Sequence, residues 1–192
     1  MKASPDFAEP LRELAALATR VAEELGPQLV IAHQLVRDTV ARGGTLFFCG
    51  NGGSAADAQH VAAEFVGRYL RERRSLPAMA LTTDASVLTS IGNDYSFDQV
   101  FARQIEGLGR RGDVALGIST SGASPNVVAA LEAAQALRMS TIALTGGDGG
   151  AVGRAATIHV NVASDDTARV QEVHRTLLHV MCEIVERSVV DR

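Results

Sequence analysis

Between Ser119 and Ser124 the chain sets four hydroxyls and a glycine into six residues, Ser119-Thr120-Ser121-Gly122-Ala123-Ser124. The apolar run VALGI precedes them and an amphipathic stretch, NVVAALEAAQAL, follows. Capping a helix takes one hydroxyl. A phosphate monoester has three oxygens that each accept several hydrogen bonds. Small hydroxyls, with the bare N–H groups of a helix start, meet that demand without a lysine. The stretch is expected to hold a phosphate, the plainer alternative being a polar loop with one capping serine. A second seam, Gly50-Asn51-Gly52-Gly53-Ser54, follows the apolar run TLFFC. Its glycines let a ligand approach the backbone, and the helix behind it offers a positive dipole end. The spacing is neither GxGxxG nor GxxxxGK[ST], so no nucleotide cofactor is expected. A tight turn capped by Ser54 is the alternative there.

Polar residues of chemical interest also stand on the helical stretches. His60 and Glu64 lie four apart on the run that opens at Ser54 and so share a face. The last run, QEVHRTLLHVMCEIVERSVV, is apolar on more than one side, which implies burial, here between subunits. Gln171, His174 and His179 interrupt it and need partners, with His174 read as core or support for the site. Arg68, in the basic cluster Arg68, Arg71, Arg73 and Arg74, is a candidate contact for an anionic substrate or else a solvated arginine. Asn93-Asp94 is a candidate for sugar hydroxyls or else turn chemistry.

The elements that must carry these residues follow from periodicity. Two helices are expected over Phe7–Leu25 and from Pro27 to Val40, an N-terminal helical arm over 1–43 read as two antiparallel helices. Strands are expected at Thr45–Cys49, Pro77–Leu81, Asp113–Ile118, Thr141–Leu144 and Thr157–Val162. Helices are expected over Ser54–Tyr69, Thr83–Ile91, Phe97–Leu108, Pro125–Leu137 and Asp166–Val189. A glycine-rich turn, GGDGG, follows the fourth strand. Alternation of this kind implies an α/β fold, a parallel sheet with helices on both faces, over 44–192. Ligands in such sheets bind beyond the carboxyl ends of the strands, where both seams fall.

Bulk properties narrow the classes. Apolar residues make up 46% of the 192-residue chain and charged ones 21%, so a single globular unit with a sizeable core is expected. A net charge of −4 excludes a nucleic-acid track. No apolar run reaches the ~18 residues of a membrane helix, and the opening segment lacks the continuous apolar core of a signal peptide. Cys49 and Cys182 sit in apolar stretches and read as buried free thiols of a cytoplasmic protein.

The segments CGNGGSAADAQHVAAEFVGRY, ISTSGAS, ALTGGDGG and QEVHRTLLH together resemble the sugar isomerase (SIS) domain family, most closely its phosphoheptose isomerases, over nearly the whole chain. The resemblance implies a flavodoxin-like three-layer sandwich on a five-stranded parallel sheet, and a homotetramer. It implies isomerisation of sedoheptulose 7-phosphate to D-glycero-D-manno-heptose 7-phosphate, the first step towards the heptose of lipopolysaccharide or other surface glycans. It places phosphate contacts at Ser119, Thr120, Ser121 and Ser124, with Asn51, Gly52, Gly53 and Ser54 alongside, and a catalytic pair at Glu64 and His179. It places zinc, in members that bind it, at positions matching His60, Glu64, Gln171 and His179. A carboxylate can move a carbon-bound proton to the next carbon through an enediol if the developing oxyanion is stabilised. Related tetramers that bind a replication initiator lack the carboxylate and histidine, and sugar-phosphate sensors of this family act within regulators. Both alternatives lose to the enzyme here, because Glu64 and His179 are both present and no DNA-binding segment is attached. An isomerase for a different phosphosugar stays open.

Overall fold

The computed structural model describes residues 6–190, so the first five residues of the expected arm lie outside the described part. Two helices, α1 (Glu9–Glu24) and α2 (Gly26–Ala41), precede the first strand. Then come β1 (Leu46–Gly50), α3 (Gly53–Val66), β2 (Ala78–Ala80), α4 (Ala85–Asp94), a 3-10 turn at Phe97–Gln99 and α5 (Ala102–Leu108). The chain continues through β3 (Val114–Ser119), α6 (Pro125–Ala136), β4 (Ser140–Gly146), α7 (Gly150–Arg154), β5 (Ile158–Val162) and α8 (Thr167–Val190). The expected helix at Thr83–Ile91 thus starts two residues later and runs on through Asn93 and Asp94. Asp84 caps it, its carboxylate accepting from the Val87 N–H. The stretch expected as one helix over Phe97–Leu108 divides into the 3-10 turn and α5.

All five strands pair in parallel, in the order β2-β1-β3-β4-β5. Alternating residues supply two cores. Leu46 and Phe48 of β1, Leu116 and Ile118 of β3, and Leu144 of β4 face α2, α3 and α8. Phe47, Cys49, Ala115 and Ala143 face α5, α6 and α7. The second face is built from smaller side chains, and α6 lies close to it. A Cβ at Gly117 would stand 2.6 Å from Val127. The two N-terminal helices pack onto the domain. Ala32, Val36 and Val40 of α2 belong to the first core, while Leu17 and Val21 of α1 pack on Val162 of β5 and Val170 and Val173 of α8.

This order reverses between β1 and β3, the switch point at which a crevice opens beyond the strand ends. The turn after β1 is Gly50–Gly53 and the turn after β3 is Thr120–Ser124, so both seams singled out in the sequence line that crevice. No helix among the described residues is long and apolar enough to cross a membrane. Cys49 and Cys182 are free and buried, and burial pushes both thiols up to about 12.

Candidate active site

At the seam after β3, Ser119 Oγ and Ser124 Oγ lie 2.8 Å apart. Ser124 occupies the N-cap position of α6 without making a side-chain cap bond, so its hydroxyl stays at the seam and the first turn of α6 keeps its dipole end uncapped. Ser121 is exposed, and its Oγ accepts from the Ala123 N–H at 3.3 Å. Gly122 makes this turn possible. Its φ is +65°, and a Cβ there would lie 2.5 Å from the backbone of Gly149. Its carbonyl accepts from the Val152 N–H at 2.9 Å, which locks the GGDGG turn beneath the hydroxyls.

The two seams are stitched together. Asn51 and Asn126 exchange amide hydrogen bonds, both 2.9 Å. On the other flank the Gln171 amide of α8 lies directly against Gly53, in the space a Cβ there would fill. From this point α3 and α8 run alongside one another in step. One turn further, buried Asp57 accepts two bonds from Arg175, Nε at 2.9 Å and the terminal nitrogen at 2.7 Å, while Gln171 Nε2 stands 3.4 Å from its other oxygen. Next come His60 and His179, ring nitrogen to ring nitrogen at 2.7 Å, with Glu64 Oε1 3.6 Å from the same nitrogen of His60. The ring of Tyr69 stacks on His179 with centroids 5.5 Å apart.

Below this group the chain leaving α3 is tied to α8 by Glu186. Its carboxylate, 1% exposed, accepts from the backbone N–H groups of Tyr69, Leu70 and Arg71 at 2.9, 2.7 and 2.8 Å, and pairs with Arg73 at 3.3 Å. Burial alone would raise its pKa. The three N–H groups and Arg73 outweigh that and hold it below the ordinary value. The Arg73 guanidinium also donates to the carbonyls of Glu64, Phe65 and Gly67, the orphan acceptors at the end of α3.

The expected residues therefore fall into two groups, about 15 Å apart along α3 at ~1.5 Å rise per residue. Asn51, Gly52, Gly53, Ser54, Gln171 and the hydroxyl turn sit at the strand ends, while His60, Glu64 and His179 sit down the flank. His174 belongs to the interior. It is fully buried, bonded through Nε2 to the Thr145 carbonyl at 3.0 Å, and burial lowers its pKa to about 4. Arg68 is exposed just beyond α3, 3.9 Å from Glu72. Asn93 and Asp94 are exposed at the end of α4 and bond to each other. Within one chain these three are not drawn into either group. Sequence reasoning missed Asp57, Tyr69, Asn126 and Arg175. Spacing carried a signal for three of them, since Asp57 lies seven before Glu64, Arg175 four before His179, and Asn126 in the first turn behind Ser124.

As they stand, no three His, Cys, Asp or Glu side chains among the described residues are grouped closely enough to hold a metal ion. The donor types at His60, His179 and Glu64 suit zinc. Two nitrogens on one zinc stand about 3.3 Å apart, so the observed 2.7 Å is the spacing of a hydrogen bond between the rings.

The sequence model of the SIS domain family matches residues 11–146. A phosphoheptose isomerase of Roseiflexus sp. (strain RS-1) is 55% identical over 88% of this chain and 86% of its own length. The solved phosphoheptose isomerase of Neisseria gonorrhoeae superposes with a TM-score of 0.88 at 45% identity, over 94% of this chain and 96% of its own. That of Francisella tularensis gives 0.88 at 37% identity, over 92% and 94%. With its strand order, its two stitched seams and these relatives, the chain belongs to the SIS domain family, among its phosphoheptose isomerases.

Proposed function

We propose that the chain interconverts sedoheptulose 7-phosphate and D-glycero-D-manno-heptose 7-phosphate. The phosphate rests on Ser119, Thr120, Ser121 and Ser124 and the open end of α6, with Asn51 and Ser54 beside it. The extended sugar runs down the flank between α3 and α8. There the Glu64 carboxylate takes a proton from C1, electrons shift to the C2 oxygen, and His179 protonates that oxygen to give the enediol. Return of the proton to C2, with loss of the O1 proton to His179, leaves the carbonyl at C1. The observation that carries this reading is the meeting of His179 with the His60 and Glu64 face of α3, on the flank that leads down from the seam where α3 begins.

His60, Glu64 and His179 would serve as zinc ligands once the two imidazoles part by roughly half an ångström. Gln171 completes the set only by turning its amide away from Asp57. A bound zinc would supply a Lewis acid that polarises the carbonyl and holds enediolate charge. We further propose a homotetramer, in which exposed Arg68, Asn93 and Asp94 can meet a neighbouring copy's substrate, and a cytoplasmic setting that keeps both buried thiols reduced.

The test is an NMR assay of the purified protein with sedoheptulose 7-phosphate, with and without a chelator, beside C5 and C6 ketose phosphates. Growth of the heptose 7-phosphate anomeric signals is expected. Turnover of only the shorter ketoses would replace the substrate, and no turnover of any would end the reading. Loss of activity on chelation, restored by zinc, is the outcome expected for the metal.

A further inference from the structure

His179 is the proposed acid/base of the reaction, and among the described residues its ring meets a hydrogen-bond partner, His60, and a stacked ring, Tyr69. The His60 contact is a hydrogen bond to the ring nitrogen that must exchange protons with the sugar, so it cannot also fix the ring. Tyr69 touches the ring's face instead, 5.5 Å between centroids with planes 28° apart. Tyr69 itself lies on a segment with no regular structure, residues 67–77, between α3 and β2. What holds that segment is unusual for a loop. One buried carboxylate, Glu186, receives three successive backbone N–H groups beginning with that of Tyr69. One buried arginine, Arg73, bonds the carboxylate's helix to the carbonyl end of the helix bearing Glu64. Glu186 stands seven residues after His179, two turns along the same face of α8.

We propose that Glu186, with Arg73, is a positioning device for His179: it sets the backbone of Tyr69 so that the tyrosine ring seats the imidazole towards Glu64. This rests on the isomerase reading above. Glu186, which burial alone would penalise, keeps its charge here because Arg73 and the three loop N–H groups satisfy it. A purely structural salt bridge would need neither the run of three N–H groups nor the aromatic ring carried at its start.

The test uses Tyr69→Ala, Tyr69→Phe, Glu186→Gln and the Tyr69→Ala/Glu186→Gln pair in the full chain, with melting curves recorded for each. Displacing a reacting group by about 1 Å costs on the order of a hundredfold. Tyr69→Ala is accordingly expected to lose about ten- to a hundredfold in kcat with KM for sedoheptulose 7-phosphate within about twofold. Tyr69→Phe, which keeps the ring, restores most of it. The double variant should be no slower than the slower single variant, because both act through one ring. The ring-proton NMR lines of His179, assigned by their absence in His179→Gln, should move in Tyr69→Ala and in Glu186→Gln alike. That measurement needs no turnover, so it decides the point even if sedoheptulose 7-phosphate is not the substrate. Unmoved His179 lines, unchanged kcat in Tyr69→Ala, or additive losses in the double variant would overturn the proposal. If Glu186→Gln does not fold, the Tyr69 variants alone carry the decision.

Discussion

Glu64 and His179 come from helices more than a hundred residues apart in the chain, and the side chain that bridges them is His60. The Glu64 carboxylate is partly open to solvent and lies 3.6 Å from the ring of that histidine. Glu64→Gln should therefore leave the fold unaltered while removing the base. The expected loss in kcat is at least ~10²-fold, in the range of general-base catalysis, with an unchanged melting temperature. Full turnover in that variant would take Glu64 out of the mechanism. Ser121 is exposed at the open edge of the hydroxyl turn, where its loss disturbs only the bond from Ala123. One hydrogen bond to a charged group is worth ~1.5–3 kcal/mol. Ser121→Ala should raise KM about ten- to a hundredfold and change kcat far less. An unchanged KM would remove this hydroxyl from the phosphate site.

At the scale of elements the site is a pair of helices in register, clamped at two heights. The upper clamp is Asp57 with Arg175. Asp57 is 1% exposed while the Arg175 side chain is 53% exposed, so water screens the arginine but not the carboxylate it leaves behind. Arg175→Ala is expected to destabilise by about 1–2 kcal/mol after that screening, and adding Asp57→Asn should recover part of the loss by removing the uncompensated buried charge. Urea unfolding of the two variants checks the sign. His174, on the inner face of α8, adds a pH dependence. Its ordinary value is 6.5 and burial lowers it to about 4 in the fold. Between those values the unfolded chain binds a proton that the native one refuses. Stability is thus expected to fall as pH drops from 6.5 towards 4, by up to about 3 kcal/mol from this group. A variant with His174→Gln should show a flatter melting profile over the same window.

These elements were unevenly legible in the sequence. The strands β1 and β3 announce themselves as short continuous apolar runs because both of their faces are covered, and the seams behind them carry their own glycine and hydroxyl signals. Helix α7 did not announce itself, since its five residues include two glycines and follow two more. Nor could Asp57 and Arg175 be matched, or Asn51 and Asn126. Each member satisfies a partner on another element, 118 and 75 residues away, and single-chain periodicity holds no record of which helix faces which. Gln171 shows the same limit. Its identity pointed to the site, but its amide turns to Gly53 and Asp57 and makes no hydrogen bond to His179.

At the scale of the whole molecule, the sequence reading of α8 as apolar on two sides finds one side covered within the chain and the other covered at Val173 and Leu177 but open at Val180 and Ile184. Leu178, Met181, Cys182 and Val185 are buried against the sheet. Val180 and Ile184 stand 38% and 43% exposed, and Val30 and Ile31 of α2 are more than half exposed. Such side chains on two helices that contact each other form a surface that association would bury. Each large aliphatic side chain taken from water contributes roughly 1.5–3 kcal/mol, so a few of them per subunit suffice to hold an assembly at micromolar concentrations. A glutamate in their midst both forfeits that burial and brings an unpaired charge into the contact. Ile184→Glu, being solvent-facing in the single chain, should leave the monomer's melting behaviour nearly intact while sedimentation velocity shows the proposed tetramer giving way to smaller species. Ile31→Glu tests the α2 side in the same way. If both variants sediment as the unmodified protein does, the subunits meet elsewhere, and the exposed apolar face of α2 and α8 is not where they join.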